Sequence, residues 1–350
     1  MKVAFLFPGQ GSQSLGMGAD FVAQFADAQA IEAYLNQLAT PNHPPSLSAI
    51  MKADGDAQQL QRTLYTQPAI LAVSMMAYQA FQTQTQGSIV PVATAGHSLG
   101  EFSALVAASV LTFQQAAQLV VQRAQLMETA TEGTMAAVLG LSASQVQTCL
   151  AQQNLPVDQL VVVANDNAPV QVVISGTVAG IEAVTPALKT AGAKRVLPLP
   201  VGGAFHSPLM QAPSATFNQA IEAQSFQTAK LPVVCNVNAQ PTTAAVELKA
   251  TLQQQMCSGV QWTKTLETLV ETLGVQAVIE FGPGKVLTGL IKKQYPQVEA
   301  FNVFDIASLE ATVEWVNNQP SFFTAKPEST SPTVIQGITI PTNVQPALFV

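Results

Sequence analysis

Between Thr134 and Val201 the hydrophobic pattern changes period in an order that few architectures accommodate. "TMAAVLGL" reads as a strand and "ASQVQTCLAQQ" has helical spacing; "LVVVAN" and "VQVVISG" are apolar runs joined by the turn-rich "DNAP"; "GIEAVTPALKTAG" is helical, and "KRVLPLPV" is extended again. Continuous apolar runs bounded by turn residues read as buried strands, and apolar positions three and four apart read as helices. The predicted order is β-α-β-β-α-β.

The chain on either side alternates differently. "KVAFLF", Lys2 to Phe7, is a short buried strand that stops at the turn residues "PGQGSQ". "SIVPVATAG", Ser88 to Gly96, is a second strand, and helical spacing follows it at Phe102, Leu105, Val106, Leu119 and Val120. Further on come strand-like "LPVVCNV", a helix around "WTKTLETLVETL", and strand-like "QAVIEF" ending at "GPGK". Strands alternating with helices imply a parallel sheet covered on both faces. The expected fold class is therefore α/β. Residues 1–133 and 202–319 form a large subdomain, and residues 134–201 form an inserted, ferredoxin-like small one. Residues 320–350 hold five prolines, five threonines and two charges, and read as an extended tail or linker with "VIQGITI" as a candidate edge strand.

With 48% hydrophobic and 10% charged residues, a membrane span has to be considered. Thr63 to Gly100 carries no formal charge, but its most apolar part, "PAILAVSMMAYQAF", is 14 residues long and is interrupted by Ser74, Tyr78 and Gln79. Spanning a bilayer takes about 20 apolar residues in a helix, so a buried core helix is expected. "VAFLF" stops at Pro8 and is too brief for a secretory signal. A cytoplasmic protein without membrane contact follows as the expectation. The net charge of -7 argues against a nucleic-acid surface. Three scattered cysteines fit neither a disulfide framework nor a zinc site, and are expected in the core.

"GHSLG", Gly96 to Gly100, fits Gly-x-Ser-x-Gly, in which the glycines let a strand and a helix approach around a strained turn that exposes the serine hydroxyl. The first N–H groups of the following helix then face the site and can hold an oxyanion. Ser98 is a candidate nucleophile on this reading and an ordinary helix N-cap on the other. A serine nucleophile needs a base, and the chain has three histidines. His43 lies in the proline-bound loop "PNHPP", and His97 adjoins Ser98, where neighbouring side chains diverge. His206, in "GGAFHSPLM", is left as the candidate base.

"FPGQGSQ", "GHSLGE", the arginine of "VVQRAQLM", "GAFHSPLM", "VQWTKTL" and "EFGPGKVLTGLI" occur in the order seen in malonyl-CoA:acyl carrier protein transacylases, and residues 1–305 resemble that family. The resemblance implies an α/β-hydrolase-like large subdomain and an acyltransferase that moves malonyl from malonyl-CoA to the phosphopantetheine thiol of an acyl carrier protein, in fatty-acid or polyketide synthesis. It implies Ser98 as nucleophile and His206 as base and acid, with the backbone N–H groups of Gln10 and Leu99 as oxyanion hole. Arg123 is implied as the grip on the malonyl carboxylate, and Gln261 as the residue whose backbone carbonyl orients the histidine. Phe205 resembles the aromatic position of malonyl-selective members. Neither a metal nor another cofactor is expected. Gly202 and Gly203 before "AFH", and the long tail, depart from the bacterial fatty-acid pattern.

Other readings stand beside these. "PGQGSQ" and Gly282 to Lys285 lack the ending of a phosphate-binding loop and read equally as turns. Arg123, in an otherwise apolar helix, is also suited to an ion pair with a core carboxylate. A serine hydrolase would use Ser98 and His206 with water as acceptor, which the presence of Arg123 disfavours, and an idle docking domain would need neither residue. Lys189, Lys194 and Arg195, or Lys292 with Lys293, are candidate docking sites for an acidic carrier or simply solvated charge.

Overall fold

The computed structural model describes residues 1–39, 45–156 and 158–319. Among them are the strands β1 (Val3–Phe7), β2 (Ala93–Gly96), β3 (Thr134–Leu139), β4 (Val161–Ala168), β5 (Gln171–Gly176), β6 (Arg195–Pro198), β7 (Val233–Val234), β8 (Pro241–Thr242), β9 (Ala277–Phe281) and β10 (Glu299–Val303). They form a six-stranded sheet, in the order β10-β9-β1-β2-β7-β8, and a four-stranded sheet, in the order β4-β5-β3-β6. The large sheet is parallel apart from the β7–β8 pair, and the small one is antiparallel throughout. The α/β class, the parallel sheet and the β-α-β-β-α-β unit are all as the sequence pattern led us to expect.

β1 explains why the large sheet must be covered twice. Val3, Phe5 and Phe7 enter one apolar cluster while Ala4 and Leu6 enter another, so a strand that alternates sides is buried on both. On the first face Phe5 meets Phe281 edge-on with ring centroids 5.0 Å apart, and both pack against Tyr78 of the helix Thr63–Thr85. That helix, nearly all buried, is the charge-free apolar segment. Among the described residues no helix is long and apolar enough to cross a membrane. On the second face Trp262 and Leu266 cover Ala4 and Leu6. Burying each such large side chain contributes roughly 1.5 to 3 kcal/mol.

The strands next to the site are shorter than their apolar runs. In Ser88 to Gly96 the hydrogen bonds to β1 begin only at the Val92 N–H, which reaches the Val3 carbonyl at 2.8 Å, because Pro91 has no N–H to give and Val90 is 67% exposed. Leu231 to Val237 is strand only at Val233–Val234, because at Cys235 the chain already turns back into the hairpin to β8, its N–H meeting the Gln240 carbonyl and its carbonyl the Ala239 N–H. "DNAP", expected as a turn, is mostly strand. β4 runs to Ala168 through two bulges, and the Asp166 N–H reaches the Val260 carbonyl of the large body. The tail at residues 320–350 and His43 lie outside the described residues. Cys149 and Cys235 are buried as expected, whereas Cys257 is only partly so.

Candidate active site

Ser98 lies between the end of β2 and the helix Gly100–Ala107, with φ of 50°. A left-handed serine is uncommon and costs on the order of 1 to 3 kcal/mol, so the surroundings must impose it. A Cβ on Gly96 would stand 2.0 Å from the Gly100 carbonyl, and one on Gly100 would stand 2.0 Å from the Phe7 carbonyl oxygen. Only glycine fits at either place. Asn236 clamps the turn from the next strand's end: its Nδ2 donates to the Gly96 carbonyl at 2.6 Å, and its Oδ1 accepts the Ser98 N–H at 2.7 Å. With the Ser98 N–H taken, the Leu99 N–H is the next one along the turn.

His206 sits opposite, itself at φ 57° and 4% exposed, with Nε2 2.8 Å from Ser98 Oγ. Its Nδ1 faces two carbonyl oxygens, those of Gln255 at 2.9 Å and Ser258 at 3.2 Å. A carbonyl oxygen only accepts, so the proton resides on Nδ1 and Nε2 is left to accept from the serine. Burial, and after it the charge of Arg123, lowers the His206 pKa to about 3. The imidazole is therefore neutral at neutral pH, with Nε2 free to accept a proton.

Arg123, on the helix Phe113–Thr129, is 1% exposed. Its Nη1 donates to Gln67 Oε1 at 2.9 Å; its Nη2 donates to Gln255 Oε1 and to Ser98 Oγ, each at 3.1 Å. The ion pairs among the described residues are Arg62–Glu128 and Lys249–Glu222, so this buried cation has none. Its Nε has no hydrogen-bond partner among the described residues. Burial lowers its pKa to about 10, opposed by the charge of Glu101, whose own pKa burial raises to about 7. Gln10, Gln67, Ser98, Leu99, Arg123 and His206 line one cavity of about 100 Å³, walled by Met127, Met135, Leu199, Val201 and Phe205. A serine with a neutral base on one side and a guanidinium on the other is equipped to attack a carbonyl compound that carries a negative charge.

The sequence matches the acyl transferase domain family over residues 4–338. The chain belongs to this acyl transferase family. It is 40% identical to a malonyl CoA-acyl carrier protein transacylase of Synechocystis sp. over 311 residues, covering 89% of this chain and 100% of the relative. An acyl carrier protein S-malonyltransferase crystal structure from Vibrio cholerae superposes with a TM-score of 0.81 at 38% identity, covering 89% of this chain and 100% of that one. A malonyl-transacylase in complex with the holo acyl carrier protein of a type II polyketide synthase superposes with a TM-score of 0.83 at 36% identity, covering 91% and 100%.

In this acyl transferase Ser98, His206, Arg123, Gln10, Leu99 and Phe205 come together as expected, but Gln261 does not reach the histidine. Gln261 opens the helix Trp262–Glu267, gives its N–H to the Asn236 carbonyl at 3.0 Å and sends Nε2 to the Val237 carbonyl, so it buttresses the asparagine clamp behind the elbow. The carbonyls on His206 are those of Gln255, the last residue of the helix Ala245–Gln255, and of Ser258 just beyond. The last carbonyls of a helix have no partner four residues on, which leaves them available. His97 packs beside the site, its Nε2 2.8 Å from Asn167 Oδ1 and its ring edge-on to Trp262 at 5.4 Å. "EFGPGK" is a strand-to-helix turn in which Glu280 caps the helix Val286–Gln294 by accepting the Leu287 and Thr288 N–H groups at 3.0 and 2.8 Å. Gln67, Asn236, Gln255 and Ser258 carry no local signal; the nearest to one is a run of polar residues, "QQQ", ending at Gln255.

Proposed function

We propose that this acyl transferase moves a malonyl group from malonyl-CoA to the phosphopantetheine thiol of an acyl carrier protein, through an ester on Ser98. The observation that carries this reading is the buried Arg123 guanidinium, 3.1 Å from the Ser98 hydroxyl and without an ion-pair partner among the described residues. A buried cation of this kind is costly unless an anion meets it, and the malonyl carboxylate is such an anion. The small, largely apolar cavity suits a three-carbon acyl group better than a long chain. The names of the relatives, transacylases acting on malonyl-CoA and carrier protein, agree with it.

The chemistry follows from the placement. His206 Nε2 takes the Ser98 proton as Oγ attacks the thioester carbonyl, the Leu99 and Gln10 N–H groups hold the oxyanion, and the carbon–sulfur bond breaks as His206 returns the proton to the CoA thiolate. The carrier thiol then enters, loses its proton to His206 and attacks the ester; Ser98 leaves with that proton. One site serves both acceptors in turn, so ping-pong kinetics follow. Phe205 walls the acyl pocket. We assign residues 1–133 and 202–319 to the body that holds the nucleophile and residues 134–201 to an inserted lobe, place the enzyme in the cytoplasm, and give it a role in fatty-acid or polyketide synthesis.

Intact-mass spectrometry after mixing with malonyl-CoA should record an added malonyl group that carrier protein clears faster than buffer does, and Ser98→Ala should lack it while melting close to the wild type. Clearance by buffer alone at the same rate would make the protein a hydrolase. Arg123→Ala should lose about 30-fold to several-thousand-fold in kcat/KM for malonyl-CoA, from a loss of about 2 to 5 kcal/mol. Acetyl-CoA has no carboxylate and should lose much less, only what Arg123 contributes by touching Ser98 Oγ. An equal loss for both substrates would remove the malonyl assignment.

A further inference from the structure

One buried carboxylate beside this site has no part in the mechanism above. Glu101, on the helix Gly100–Ala107 and 1% exposed, accepts from Gln255 Nε2 at 2.6 Å. Gln255, also 1% exposed, donates from the same nitrogen to the Ser98 carbonyl at 2.9 Å, receives Arg123 Nη2 on Oε1 at 3.1 Å, and offers its own backbone carbonyl to His206 Nδ1 at 2.9 Å. One residue therefore reaches all three: its side-chain amide touches the main chain of the nucleophile and the arginine, and its backbone carbonyl holds the base.

We propose that Glu101 is a positioning residue for acyl-group selection: by accepting from Gln255 Nε2 it fixes which way that amide faces, and through the amide it holds Arg123 where a malonyl carboxylate is met. An amide has a donor end and an acceptor end of nearly the same shape, so its orientation is decided by its partners. With the NH2 turned to the Glu101 carboxylate and the Ser98 carbonyl, the oxygen necessarily faces the guanidinium. The reverse orientation would set NH2 against Nη2, donor against donor, and an oxygen against both acceptors. A buried mismatch of that kind costs the full desolvation of each group left unpaired. Gln67 Oε1 holds the other arm of the guanidinium, so two amide oxygens fix its plane and neither supplies a negative charge that would compete with the substrate.

This inference rests on the reading of Arg123 as the malonyl grip and is tested by comparison with it. Glu101→Met keeps the length of the side chain and removes the acceptor; Glu101→Gln keeps an acceptor oxygen. Kinetics with malonyl-CoA and acetyl-CoA, read beside thermal melts, should give Glu101→Met a loss of about 10- to 100-fold in kcat/KM for malonyl-CoA, mainly in KM. Acetyl-CoA should change several-fold at most, and Glu101→Gln should recover most of the malonyl loss. Gln255→Met, which retains the carbonyl that orients His206, should show the same shift away from malonyl. Adding Glu101→Met to it should cost little more, because the carboxylate acts through the amide. Equal losses for the two substrates, full additivity of the pair, or no recovery in Glu101→Gln would each overturn the proposal. Should Glu101→Met fail to fold, Glu101→Leu takes its place, and the ratio of malonyl to acetyl turnover in Gln255→Met against Gln255→Met/Glu101→Leu decides: an unchanged ratio supports the proposal, and a further fall refutes it. If Arg123→Ala loses malonyl turnover selectively and Glu101→Met does not, only this inference fails; if Arg123→Ala loses both substrates equally, the grip itself is wrong.

Discussion

At the scale of the residue, the site is governed by what burial does to charge. His206 has two carbonyl oxygens on Nδ1 and no carboxylate, and Arg123 presses on it from the serine side. An acidic partner would raise the pKa of the imidazole; here burial first and the guanidinium second bring it down from 6.5 to about 3. The base is lost only when it is protonated, so the rate of Ser98 acylation should stay level as pH falls through 6.5, where an ordinary histidine is half protonated. In Arg123→Ala, with the second cause gone, the fall should begin at higher pH. Single-turnover mass spectrometry across the pH range reads both, and a wild-type loss centred near 6.5 would mean that another group is the base. The same depression carries a stability cost in acid. The unfolded chain takes the proton below 6.5 and the folded protein only near 3, so His206 subtracts stability as pH falls between those values, and melts must accompany the rates.

At the scale of the element, the elbow is a close approach of three pieces of backbone. β1 ends against the helix Gly100–Ala107 so tightly that a methyl group on Gly100 would overlap the Phe7 carbonyl, and Gly96 faces the same helix start at the same distance. Neither neighbour is the flexible end of a side chain. Gly100→Ala must therefore push β1 and the helix apart, moving the Leu99 N–H and the Phe7 to Gly9 segment together. We expect a loss of more than about 3 kcal/mol in urea unfolding, with acylation reduced even in the folded fraction. A variant as stable and active as the wild type would show that the helix start has room to move. The run Ser88 to Gly96 is cut short at its start by Pro91, and the chain leaving β7 turns at once into the Asn236 clamp on the elbow.

At the scale of the whole molecule, a chain of net charge -7 is proposed to receive a carrier that is acidic as a class. Overall repulsion has to be overcome locally. Lys189 lies in the last turn of the helix Val178–Thr190, Lys194 just before β6 and Arg195 at its start, and all three are exposed. Charge reversal at Lys189 and Lys194 should raise the KM for carrier several-fold, with a weaker salt dependence, and leave acylation by malonyl-CoA unchanged. If the KM for carrier is unmoved there, the pair Lys292 and Lys293 on the helix Val286–Gln294 is the next surface to reverse. Loss of the malonyl-CoA half-reaction in the same variants would place these lysines with CoA and not with the carrier.

The amino-acid sequence by itself determined the order of elements, the burial of the large sheet on both faces and the inserted antiparallel unit, and it offered Ser98, His206 and Arg123 as candidates. The elements are written locally in the period of apolar residues and Ser98 in its flanking glycines, whereas His206 comes from elimination among three histidines and Arg123 from its place in an ordered set of motifs. Only the tertiary structure decided which atoms complete them. Every residue has a backbone carbonyl, so nothing in side-chain chemistry distinguishes Gln255 and Ser258 from Gln261 as the acceptors for His206; the choice depends on where the helix Ala245–Gln255 ends. Gln67, Asn236 and Gln255 are common polar residues whose partners lie 56, 138 and 132 residues away in the chain. Their hydrogen bonds form only after the sheet and its covering helices have closed those long loops, and so they leave no trace in any short stretch of sequence.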